Sequence, residues 1–296
     1  MIPEPVRAPH RARTGVLLFL VLIPLLVAGP IALRAAAARG SAAAFACLVV
    51  LTWTPALASL IARAVLREGL ADVSFALPAM PVLGGLMTAL ATPLAIGLAG
   101  YGAAWGSGLA RFDLPAATPW PAASPALRFG AFLAINLARG LPLLGFLALG
   151  EEIGWRGYLL PRLIESGWPR PVLLSGLVWG LWHVPSLLWG GYPAGPNRPL
   201  SAAVILVTLG AFAFVLARLR LESGSIWPPT LAHAAWNSII LDSFDGATHA
   251  PTAWTRESGI LVALATLITT LWITRGTWNA RLSPASTPFA LVFGRR

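Results

Sequence analysis

The sequence has no lysine and one cysteine, and 11% of its residues are charged, where a soluble domain carries about a quarter. So little charge excludes a water-soluble surface over most of the chain. A lone cysteine, Cys47, excludes an intrachain disulfide and a cysteine-based metal cluster, and reads as small apolar filler. No strand-like alternation stands out either. What is present instead is apolar: 57% of the 296 residues are hydrophobic and the mean hydropathy is +0.74. The apolar runs follow one another so closely that residues 1–296 read as one integral-membrane domain, an all-α polytopic helical bundle.

A helix needs about twenty apolar residues to cross a hydrocarbon layer of roughly 30 Å. Eight stretches approach this: Gly15–Leu33, Ala42–Leu60, Leu77–Tyr101, Phe129–Leu160, Val172–Leu188, Ser201–Leu216, Ser225–Leu241 and Gly259–Ile273. Several contain proline, which membrane helices tolerate when neighbours satisfy the freed carbonyls. The first run follows Arg7, Arg11 and Arg13, but its length and the immediate second run favour a span over a cleaved leader. The Pro/Ala-rich stretch Ser107–Arg128 is the longest connection.

The formal charge of +10 comes entirely from arginine, in short stretches between apolar runs. That distribution fits the positive-inside rule rather than a nucleic-acid surface. With the N-terminus inside, the inner connections hold Arg63, Arg67, Arg156, Arg162, Arg170, Arg218 and Arg220 besides the terminal arginines, and the outer ones hold fewer. Both termini are expected in the cytoplasm, and the protein in the cell membrane with the lipid bilayer as its surroundings.

Ionisable residues inside membrane spans are costly and mark function by default. Here they fall in three places: Glu151, Glu152 and Arg156 on the fourth span, His183 on the fifth, and His233 with Asn237 on the seventh. Counted from Arg162, Arg170 and Arg220 they sit about eleven to thirteen residues in, or roughly 16–20 Å along each helix. Three helices thus carry polar groups at one level. Glu152 and Arg156, four apart, share a face and form an ion pair, while Glu151 is rotated away and free to act. His233 and Asn237 also share a face, and Trp179 lies one turn before His183.

A carboxylate, two imidazoles and a carboxamide in a wet intramembrane pocket suit hydrolysis. A glutamate and a histidine can deprotonate water, and a second histidine with an amide can stabilise an oxyanion. Two histidines and a glutamate also form a catalytic zinc set, so Glu151, His183 and His233 could hold a divalent metal. The residues themselves leave both routes open.

The motifs "EEIGWR", "WGLWH" and "HAAWN", in this order between Glu151 and Asn237, resemble those of the CPBP family of intramembrane proteases, also called CAAX prenyl protease 2 (Rce1-like) or Abi family. The extended "EEIGWRGYLLPRL" is the most specific, and the core of the resemblance covers about residues 129–245. Trp179 stands where the family has phenylalanine. The resemblance implies an intramembrane endopeptidase in which Glu151 and His183 activate water, His233 and Asn237 stabilise the tetrahedral intermediate, and Glu152 and Arg156 organise the helix. The family has been described both as metalloproteases and as glutamate-type proteases, so a cofactor such as zinc stays open. A protein or peptide at the membrane is the implied substrate, CAAX-like or otherwise.

The blander readings are a buried ion pair for the two glutamates and satisfied core histidines for His183 and His233. One ion pair with Arg156 explains one glutamate, not both. Asn136 and Arg139 read as interhelical hydrogen-bond partners, and His10 and His249 as solvated. Trp155, Trp179, Trp182 and Trp236 are candidates for lining a substrate groove. A non-proteolytic scaffold or bacteriocin self-immunity protein is the competing class; a transporter would call for repeated halves, and none is visible.

Overall fold

A computed structural model describes residues 9–38, 40–77, 82–189, 191–250 and 252–274. The chain is a helical bundle: α1 (Pro9–Ala36), α2 (Ala42–Leu66), α3 (Val82–Gly106), α4 (Pro125–Gly154), α5 (Leu160–Glu165), α6 (Pro171–Leu188), α7 (Arg198–Ser223), α8 (Trp227–Trp236) and α9 (Ile260–Ile273). A π-helical turn, Trp155–Leu159, joins α4 to α5 as one rod, Pro125–Glu165; a second, Asn237–Phe244, extends α8. The sole sheet among the described residues pairs β1 (Arg111–Phe112) with β2 (Thr248–His249) across the long connection.

The eight expected spans fall on these helices, the fourth running from α4 through its π turn to α5 and the seventh from α8 into its own; positions 78–81 of the third lie outside the described residues. Among the described residues six helices are long and apolar enough to cross a bilayer; the rod from Trp227 to Phe244 equals α6 in length but carries His233, Asn237 and Asp242, and α9 is shorter. The outward faces are correspondingly oily, with Leu17, Leu25, Val65 and Ile268 more than half exposed. Helix α8 lies in the centre against α3, α4 and α7, and α6 packs on α7. Every α8 residue from Ala232 to Trp236 is buried.

Close helix contact comes from glycine pairs spaced four apart. A Cβ on Gly154 would lie 2.3 Å from the Pro55 Cβ, and one on Gly150 2.9 Å from the Thr52 carbonyl, so α4 touches α2 backbone to backbone. Gly176 and Gly180 do the same for α6 against α7, where a Cβ would meet Ala213 at 2.7 Å and Leu206 at 3.0 Å. Without hydrophobic drive between helices in lipid, such small-residue contacts supply the packing.

At the end of the bundle holding the α4–α5 junction, arginines read above as topological charge are structural. Arg63, Arg162 and Arg220 are each at most 2% exposed. Arg63 and Arg162 both bind Asp72, and Arg162 also reaches Glu68 at 2.7 Å and Glu165 at 3.2 Å. Pro161 has no N–H for the Gly157 carbonyl one turn back. Arg63 Nη2 donates to that carbonyl instead, at 2.9 Å, and Arg220 reaches the Arg156 and Asp72 carbonyls. The π turn is therefore fixed from outside the helix by guanidinium groups.

Candidate active site

Glu151 and Glu152 close α4, immediately before its π turn, and both are buried. Gly150 and Gly154 flank them, so the close approach to α2 sets the height and rotation of the carboxylate pair. Glu151 Oε2 accepts a hydrogen bond from Trp179 Nε1 at 2.8 Å, linking α4 to α6. Glu152 Oε1 accepts from Arg156 Nη1 at 2.9 Å, as its spacing predicts. The same oxygen also accepts from His233 Nδ1 at 2.9 Å, which links α4 to α8. Glu152 is thus more than an intrahelical partner: it orients a histidine.

His183 Nδ1 lies 3.0 Å from the Trp179 carbonyl oxygen. A carbonyl only accepts, so Nδ1 carries the hydrogen and Nε2 presents its lone pair. The bond to Glu152 likewise places a hydrogen on His233 Nδ1 and turns Nε2 away from the carboxylate. Both rings meet Trp179 edge-on, with centroid distances of 5.7 Å for His183 and 5.2 Å for His233. The Arg156 guanidinium caps the indole at 4.4 Å. Trp179 is the hub that Glu151, His183, His233 and Arg156 surround.

Asn237 opens the second π turn and is partly exposed; no side-chain hydrogen bond holds it among the described residues. The wider turn begins at the residue that the sequence places on His233's face. Such turns interrupt helices mostly at functional positions. Asn136, by contrast, is structural: its amide donates to the Asp242 carbonyl and to Ser243 Oγ. Arg139 is exposed, as are His10 and His249, the last beside Asp113.

Two residues that sequence reasoning missed adjoin the site. Tyr192, between α6 and α7, sets its ring edge-on to His183 at 5.4 Å and donates from its hydroxyl to Glu257 Oε2. Glu257, before α9, accepts from Trp236 Nε1 through its other oxygen at 2.5 Å. Burial pushes the Glu257 carboxyl above the ordinary carboxylate range, against the pull of these two donors. Burial, with Glu257 beside it, holds the Tyr192 hydroxyl well above its usual value, so it stays protonated and donates. Neither residue lies in a recognisable motif.

The groove expectation for the tryptophans needs correction. Trp155, Trp179, Trp182 and Trp236 are all at most 6% exposed, because their rings fill space between helices. An apolar groove of about 560 Å³ does run between α3, α4 and α8, but Trp227, Phe146, Leu86 and Leu231 line it. Its wall includes Leu149 and Ala234, each close in sequence to a site residue.

Among the described residues no group of three His, Cys, Asp or Glu side chains is spaced to hold one metal ion. Glu151 is hydrogen-bonded to the Trp179 indole and both imidazoles meet it edge-on.

Six apolar helices among the described residues, with buried ionisable groups between them, fit a multi-pass membrane protein. Residues 126–239 match the family model for type II CAAX prenyl endopeptidases, Rce1-like. Over this segment, which is less than half of the chain, the protein is similar to the Rce1-like family. No curated protein matches the chain.

Proposed function

We propose that the protein is an intramembrane endopeptidase in which Glu151 and His183 activate the water that attacks a substrate peptide bond. The observation that carries this reading is the grouping of Glu151, His183 and His233 around Trp179, with Nε2 of each ring left open by its Nδ1 bond. In this reading the base takes one proton from water as the oxygen bonds to the carbonyl carbon. His233, protonated and charge-balanced by Glu152, donates from Nε2 to the oxyanion, with the Asn237 amide beside it. The C–N bond then breaks, and the abstracted proton passes to the leaving nitrogen. The supporting role of Arg156 is to hold Glu152 in place by its N–H, and that of Trp179 is to hold Glu151 by its N–H.

Residues 1–296 act as one domain, with both termini on the cytoplasmic side. The substrate is a membrane-associated or CAAX-like protein or peptide, and the apolar groove beside Leu149 and Ala234 gives its oily portion a route from the bilayer. Purified protein in liposomes, offered a prenylated CAAX peptide and an unprenylated membrane peptide, tests this. Cleavage of either that Glu151→Gln abolishes supports the proposal; cleavage undiminished in that variant overturns it.

A further inference from the structure

Glu257 lies outside the matched segment 126–239, in the connection that leads into α9. It is 2% exposed. Its two oxygens take different donors from different parts of the chain: Tyr192, four residues beyond the end of α6, and Trp236, at the end of α8. Tyr192 rests its ring edge on His183, and Trp236 stands between His233 and Asn237 on one helix. Trp236 is further wedged against Phe212 of α7, with ring centroids 4.4 Å apart.

The backbone reinforces the same junction. The Tyr192 amide donates to the Ser186 carbonyl at 3.1 Å and the Gly195 amide to Ser201 Oγ at 3.0 Å, so segment 191–197 is folded back over the end of α6. A Cβ on Gly195 would lie 3.1 Å from the Thr252 carbonyl, so this segment also touches the connection that carries Glu257. Hydrogen bonds to a buried carboxylate are about twice as strong as neutral ones. Each oxygen of Glu257 takes a donor, and those donors tie it to Tyr192 and Trp236 rather than to Glu151 or His183.

We infer that Glu257 is a positioning residue: it clamps the Tyr192 segment over His183 and fixes Trp236 on α8, locking the two histidine-bearing helices to one another from outside the motif core. Its catalytic part rests on the protease reading above; its structural part does not. Without the carboxylate, the Tyr192 ring loses the hydroxyl partner that holds it against His183, and the imidazole gains freedom of rotation that costs rate rather than binding.

Two measurements on the full-length protein in detergent micelles test the clamp. In hydrogen exchange read by mass spectrometry, Glu257→Ala should speed exchange of the Tyr192 and Gly195 amides at least about tenfold, and Tyr192→Phe should do so without disturbing the Trp236 region. With the prenylated CAAX peptide as probe, Glu257→Ala should lower kcat about tenfold with KM within about twofold. Glu257→Gln should recover part of that loss, and the Tyr192→Phe/Glu257→Ala double variant should be no slower than Glu257→Ala alone. If Glu257→Ala does not fold, Tyr192→Phe, which removes one hydroxyl, carries both measurements. Unchanged exchange at 191–197 in Tyr192→Phe overturns the inference even if the wild type cleaves nothing; a wild type that cleaves neither peptide defeats the protease reading while the exchange result still decides the clamp.

Discussion

His233 Nδ1 and Glu152 Oε1 are 2.9 Å apart, and the same carboxylate oxygen receives Arg156. One glutamate therefore joins a cation on its own helix to an imidazole on another. The two members of the pair consequently differ in what their loss should do. Glu152→Ala leaves Arg156 buried without its anion, which costs about 3–5 kcal/mol. Glu151→Gln keeps an oxygen for the Trp179 N–H and should leave the thermal midpoint nearly unchanged while cleavage falls about 10²-fold or more. Thermal unfolding in detergent, run beside the peptide assay, separates the two.

Asp72 anchors the ionic cluster beneath the site by receiving both Arg63 and Arg162. Asp72→Ala should destabilise the protein by about 3–5 kcal/mol, because two buried guanidinium groups lose a shared anion. Reduced yield of folded, monodisperse protein on size-exclusion chromatography is the expected sign, and a wild-type yield and midpoint would count against it.

Gly154 allows α4 to touch α2, where an added methyl would sit 2.3 Å from Pro55 Cβ and 2.6 Å from its carbonyl oxygen. Gly154→Ala should cost at least about 1–3 kcal/mol from overpacking and should displace the carboxylate pair, lowering activity beyond the stability loss. Gly130→Ala, where a Cβ meets nothing within 4 Å, is the matched control and should leave both properties in place.

At the opposite end of the bundle, Tyr101 donates to Asp245 Oδ1 at 2.6 Å. Burial pushes the Asp245 carboxyl from 3.8 up to about 7, despite that bond and nearby Arg256. Between those values the folded chain holds a proton that the unfolded chain has released, so stability falls as pH rises from about 4 to about 7. Asp245→Asn should flatten this slope and raise the midpoint relative to wild type at pH 8. A variant with the wild-type slope would contradict the assignment.

Much of this was legible in the residues. Apolar run lengths located the long helices of the described residues, and the four-residue spacing of Glu152 with Arg156 forecast the ion pair between them. The bond from Glu152 to His233 was not legible, since helical spacing describes one helix at a time and says nothing of which oxygen faces a neighbour. The packing role of the inner arginines was not legible for a related reason: Arg63, Arg162 and Arg220 sit at span ends as topogenic charges do, and their partners are Glu68, Glu165 and the distant Asp72. Glu257 gave no signal because its partners are sixty-five and twenty-one residues away. The pairs Gly150/Gly154 and Gly176/Gly180, however, were in plain view as Gly-x-x-x-Gly beside the motifs, and that spacing alone forecasts close helix contact.

The most direct test of the central claim is single-turnover cleavage of a membrane peptide by purified wild type, Glu151→Gln and His183→Ala in liposomes, each checked for an unaltered thermal midpoint. The account predicts cleavage by the wild type and a loss of at least about a hundredfold in both folded variants. Folded Glu151→Gln or His183→Ala protein that cuts at the wild-type rate would contradict it.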